Sequence, residues 1–211
     1  MYRNPLDTVR LFLSLFQDLP PLARTIYVPG AILLLVYPIL TVLLGHGHQG
    51  EAFVTSFMIA LALRMALGFE GMVKRMMSGY SLVQTVLQSL LFVTIPLVAL
   101  SFAEDPLACQ RLQSAIYLLI GAVFLSDVVK GRVATAASFW PDADMRSYLP
   151  NLTRVMVIYN FAFLLLNETL IQTVSASYWL LFWAVLPVVA QIVLRALVLT
   201  VINLEDDGQH A

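Results

Sequence analysis

Ile26–Gly45 reads IYVPGAILLLVYPILTVLLG, a run without a single charged residue. As a helix, a stretch of this length crosses the roughly 30 Å hydrocarbon core of a bilayer. The same texture recurs along the chain. Ala52–Phe69 is interrupted only by Arg64, and Leu82–Ala103 carries no charge. Leu112–Val129 holds Asp127 close to its end. Val155–Val174 carries Asn160, Asn167 and Glu168, and Tyr178–Asn203 carries Gln191 and Arg195. Membrane barrels need short alternating segments, whereas these runs are long and continuous. The expected fold is therefore all-α: a polytopic membrane helix bundle with six transmembrane helices.

Composition agrees with this reading. Of 211 residues, 60% are hydrophobic and only 12% charged, against about 25% charged in a soluble domain. So apolar a chain is not intrinsically disordered. Its 12 Lys+Arg against 13 Asp+Glu leave a net charge of −1, without the basic footprint of a nucleic-acid binder. Cys109 is the only cysteine, so an intramolecular disulfide and a cysteine metal cage are both excluded. The two lysines, Lys74 and Lys130, lie near the ends of apolar stretches, which argues against a buried Schiff-base lysine. No apolar run followed by a small-residue cleavage site opens the chain, so no secretory leader is expected.

Lysine and arginine set the direction of the spans. Arg3, Arg10 and Arg24 precede the first span, Lys74 and Arg75 follow the second, and Lys130, Arg132, Arg146 and Arg154 follow the fourth. These nine fall on one side, and Arg111 alone falls on the other. Arg64 and Arg195 lie within spans. The asymmetry places both termini in the cytoplasm. Residues 1–25 then form a cytoplasmic or interfacial segment, 26–203 the six-helix domain and 204–211 an acidic cytoplasmic tail. No Gly/Ser linker or internal repeat divides the chain.

Two connections read as interfacial. In Leu6–Leu19, Val9, Phe12, Leu13 and Phe16 share one helical face, and Pro20-Pro21 closes the segment. Such an amphipathic helix lies in the headgroup layer or packs on its own bundle. The Gly131–Arg154 connection mixes Phe139, Trp140 and Tyr148 with basic residues, a composition suited to the membrane–water boundary.

Polar residues inside the spans are the functional candidates, because ionisable groups in hydrocarbon are costly and face a partner, a cavity or water. Gln84 and Gln88 lie one turn apart on the third span. Asn160 and Asn167 share a face of the fifth, and Gln191 and Arg195 share a face of the sixth. Arg64 sits roughly 8 Å inside the cytoplasmic end of its span and Arg195 roughly 12 Å inside its own. Asp127 is close to that boundary. Glu168 lies roughly 20 Å from the cytoplasmic end of the fifth span, so Arg195 approaches it only by reaching outward. Three readings follow: helix-to-helix bonding with Arg64 snorkelling to headgroups, a cavity for a small molecule or lipid headgroup, or an ion path through Glu168. Pro38, Pro96 and Pro187 either free carbonyls for a site or simply kink their helices.

No enzymatic motif is present: there is no HExxH, P-loop, GxSxG or GxGxxG. His46 and His48 read as a surface loop rather than a metal site, and Asp142 and Asp144 as a solvated turn after Pro141. No metal, cofactor or catalytic residue is expected.

Leu118–Leu125 followed by Gly131-Arg132, then Leu152-Thr153-Arg154, then Asn167-Glu168 followed by Trp179 and Phe182, together resemble the intracellular septation protein A family of bacterial inner-membrane proteins. The likeness covers the C-terminal half. Trp183 stands where the family carries lysine, and Glu104-Asp105-Pro106 replaces its Lys-Pro-Thr motif. The resemblance implies a bacterial inner-membrane protein associated with envelope biogenesis and the division machinery. In it Asn167, Glu168 and Trp179 would fix the outer junction of spans five and six. The expectation is a non-enzymatic scaffold whose partners are the lipid bilayer and other membrane proteins. The alternative is a small-molecule, lipid or ion transporter using Gln84, Gln88, Glu168, Gln191 and Arg195.

Overall fold

The computed structural model describes residues 23–77 and 105–209, together with Val86, Leu90, Thr94 and Val98. Among the described residues there are helices and no strand. The helices are α1 (Arg24–Leu44), α2 (Gln49–Met77), α3 (Pro106–Val129), α4 (Ala134–Phe139), α5 (Leu149–Thr173) and α6 (Ala176–Gln209). Five of them are long and apolar enough to cross a membrane: α1, Gln49–Phe69 of α2, α3, α5 and Ala176–Asn203 of α6. The expected third span, Leu82–Ala103, lies outside the described residues except at Val86, Leu90, Thr94 and Val98, each of which is helical. The amphipathic segment Leu6–Leu19 also lies outside them.

The connections are tighter than the hydropathy pattern predicts, because capping residues start helices early. His46–Glu51, the gap between the first two expected spans, holds a single 3₁₀ turn, His46–His48, running straight into α2. Glu51 then sits in the first turn of α2, where a carboxylate favours the positive end of the helix. The expected Glu104–Arg111 loop is likewise cut short. Asp105 acts as an N-cap: Leu107 N donates to its Oδ1 at 2.9 Å and Cys109 N to its carbonyl at 3.2 Å. Pro106 occupies the first helical position, where a missing N–H costs nothing. α5 begins at Leu149 rather than Val155, with Pro150 tolerated in its first turn. Only Val174-Ser175 separates α5 from α6, and the Ser175 carbonyl accepts from Trp179 N at 2.9 Å. The α6 helix continues past Asn203 through Gln209.

The end of α3 is a Schellman stop. Arg132 N donates to Asp127 O at 2.8 Å and Gly131 N to Val128 O at 3.1 Å. Gly131 takes φ +62°, a left-handed conformation that side-chain-bearing residues adopt at a cost. Asp127 then serves the next element as well, its Oδ2 accepting from Thr135 N at 2.7 Å in the first turn of α4.

The described chain forms two compact units. One joins Ala23–Tyr117 with Phe163–Pro187, and the other joins Leu118–Ala162 with the stretch from Val188 onward. The first unit has a core of Leu33, Phe53, Phe57, Leu112, Trp179, Leu180 and Trp183. Here α1 approaches α6 closely: a Cβ on Gly30 would lie 2.3 Å from Ala184 O, so only glycine fits. Tyr37 Oη and Ser177 Oγ, 2.6 Å apart, tie the same two helices. The second unit is built on Phe124, Ala136, Leu149 and Met156. In it Gly121 of α3 abuts Asn160 of α5, and Tyr159 Oη donates to Ala190 O at 2.9 Å.

Candidate functional site

The first unit holds two polar clusters inside its apolar core. The first centres on Asn167, which is 1% exposed. Its Nδ2 donates to Ser114 Oγ at 2.8 Å and to Gln110 O at 3.2 Å, and its Oδ1 accepts from Trp179 Nε1 at 3.0 Å. One amide thus ties α5 to α3 and to the start of α6. The short α5–α6 turn makes this possible by folding Trp179 back beside Asn167. Trp179 itself is fully buried and packs on Phe53 and Phe57 of α2, with ring centroids 6.1 and 6.0 Å away.

The second cluster centres on Arg64 of α2. Its guanidinium lies over the Trp183 ring, 4.1 Å from the centroid, a cation–π contact of about 2 kcal/mol when desolvated. Phe57 meets the same indole edge-on at 5.1 Å. Trp183 Nε1 donates to Gln113 Oε1 at 3.2 Å. Gln113 also hydrogen-bonds the Tyr117 hydroxyl, and Tyr117 lies within electrostatic reach of Arg64. Phe163 stacks obliquely on the Tyr117 ring at 5.6 Å. Arg64 Nη2 is enclosed and has no hydrogen-bond partner among the described residues.

The remaining candidates are dispersed. Glu168 follows Asn167 but points elsewhere: it is half-buried and makes no salt bridge among the described residues. It sits roughly 8 Å of helical rise from Thr173, the last residue of α5. Asn160 is buried, yet its Nδ2 donates to Met156 O of its own helix at 2.7 Å. Asp127 caps α4 as described. Gln191 and Arg195 are half-buried on α6 in the second unit. Gln84 and Gln88 lie outside the described residues. Among the described residues no group of three or more His, Cys, Asp and Glu gathers as metal ligands, and His48 Nδ1 lies 3.0 Å from Glu51 Oε1.

Sequence reasoning passed over Gln110, Gln113, Ser114 and Tyr117, and took Trp183 only as a departure from the family pattern. A signal existed: Gln110, Ser114 and Tyr117 recur at three- and four-residue spacing along one face of α3, with Gln113 beside them. The chain matches no family model, and comparison with curated proteins and solved structures likewise gives no match.

Proposed function

We propose that the chain is a non-enzymatic, multi-pass protein of the bacterial inner membrane, with six spans and both termini cytoplasmic, that works as a scaffold or partner subunit. Association with envelope biogenesis or division follows from the septation-family likeness of Gly131-Arg132, Asn167-Glu168 and Trp179. The orientation follows from the nine Lys and Arg against one. One observation supports a structural use of the intramembrane polar groups: the Asn167 amide spends its hydrogen bonds on Gln110, Ser114 and Trp179 rather than on an open cavity. Polar side chains used in this way hold helices together and leave the outward helix faces for lipid and neighbouring proteins.

The test is co-purification in mild detergent combined with reconstitution. A scaffold retains a stoichiometric membrane-protein partner, and Glu168→Gln leaves that complex intact. If no partner is retained and proteoliposomes show a proton-coupled flux that Glu168→Gln abolishes, the scaffold reading fails. Transport through the intramembrane polar residues then replaces it.

A further inference from the structure

Among the described residues, nothing that converges on Arg64 carries a negative charge. The guanidinium carries five N–H groups and no acceptor. Gln113 has already committed its Oε1 to Trp183 Nε1. Gln113 also lies within hydrogen-bonding reach of the Tyr117 hydroxyl, whose proton rotates about the C–O bond and can turn toward a ligand. No carboxylate among the described residues forms an ion pair with Arg64. The Trp183 face covers one side of the cation, and Nη2 is enclosed without an acceptor among the described residues. Buried polar atoms nearly always have a partner, and an orphan points to a missing water or ion. A cation inside hydrocarbon is costlier still to leave alone.

The missing partner must accept hydrogen bonds and carry negative charge. The planar guanidinium fork matches two oxygens of one phosphate, and the Tyr117 hydroxyl adds a third donor. Both residues are half-buried rather than sealed. Arg64 also lies roughly 8 Å of helical rise from Phe69, where the apolar part of α2 ends. That depth is within reach of a phosphate entering from the membrane surface. We propose that Arg64 and Tyr117, backed by Trp183 and Gln113, form a binding site for a phosphate group, carried by a phospholipid headgroup or by a free solute. The inference is independent of whether the chain has protein partners.

The experiment uses the full chain in neutral, phosphate-free detergent. Inorganic phosphate is titrated against chloride at matched ionic strength, and phosphatidylglycerol against phosphate-free diacylglycerol, with Tm and tryptophan fluorescence as readouts. A ligand that binds the folded state raises Tm saturably. The expected result is a saturable rise that Arg64→Gln abolishes and that Tyr117→Phe shifts to about tenfold higher half-saturation. A response to the lipid alone assigns the headgroup, and a response to phosphate alone assigns the solute. No saturable response to either probe overturns the proposal, and so does a response that both variants share unchanged. If Arg64→Gln fails to fold, Tyr117→Phe carries the comparison, because it keeps the ring and loses only the hydroxyl.

Discussion

Trp179 Nε1 donates to Asn167 Oδ1 at 3.0 Å across the α5–α6 turn, and both side chains are almost completely buried. The bond satisfies two groups that would otherwise be stranded in an apolar core. Asn167 also reaches Ser114 and Gln110, so its removal unties three helices at once. Asn167→Leu is expected to destabilise the bundle by about 1–3 kcal/mol, measured by denaturing-detergent titration of the micellar protein. Leu165→Ala, at a side chain 67% exposed on the same helix, is the control. Equal losses for the two variants would contradict a bonding role for Asn167.

Glycines give a sharper contrast, because two of them sit on helices with opposite surroundings. At Gly30 an added Cβ meets the backbone of Ala184 at 2.3 Å, and a backbone does not swing aside. Gly30→Ala should cost about 1–3 kcal/mol as α1 and α6 are forced apart. At Gly68 nothing lies within 4 Å of the same Cβ. Gly68→Ala should be neutral or stabilising by up to about 1 kcal/mol through helix propensity. Comparing the two melting temperatures checks the packing of α1 on α6 directly.

Asp127 is read by hydropathy as an ionisable group near the end of a span. Its carboxylate caps α4 and its carbonyl closes the Schellman stop of α3. Asp127→Asn keeps a capping oxygen and should be tolerated, whereas Asp127→Ala should cost about 0.5–2 kcal/mol. Gly131→Val should cost at least as much, because a β-branched residue at φ +62° is strained. A loss of function in Asp127→Asn without a loss of stability would give Asp127 a role beyond capping.

Five span positions are legible because long, nearly uncharged apolar runs have few alternatives. Span ends are not, because polar capping residues such as Asp105 and Ser175 look like loop until their bonds are seen. Asp105-Pro106 is nonetheless a cap-and-first-turn signature that hydropathy alone ignores. Asn167 was conspicuous as an amide within a span. Its partners Ser114 and Gln110 share one face of α3, but nothing local says which helix that face meets. Arg64 was visible as a charge, but that it stacks on Trp183 depends on how α2 meets α6, and no local pattern encodes that.

The last expectation concerns parity. α2 ends beside Lys74 and Arg75, and α3 ends beside Lys130 and Arg132. If Leu82–Ala103 crosses the membrane, α2 and α3 run in the same direction, and these four cations share one side. If it does not cross, α3 runs opposite to α2: Arg111 then joins Lys74 and Arg75, and Lys130, Arg132, Arg146 and Arg154 move to the far side, against the charge bias that orients short loops. The uncharged composition of Leu82–Ala103 and the helical backbone at Val86, Leu90, Thr94 and Val98 favour the crossing. Reporter fusions after Met77 and after Asp105 should therefore report opposite compartments, with the Met77 fusion cytoplasmic. The same compartment for both would reduce the bundle to five crossings and separate the two termini.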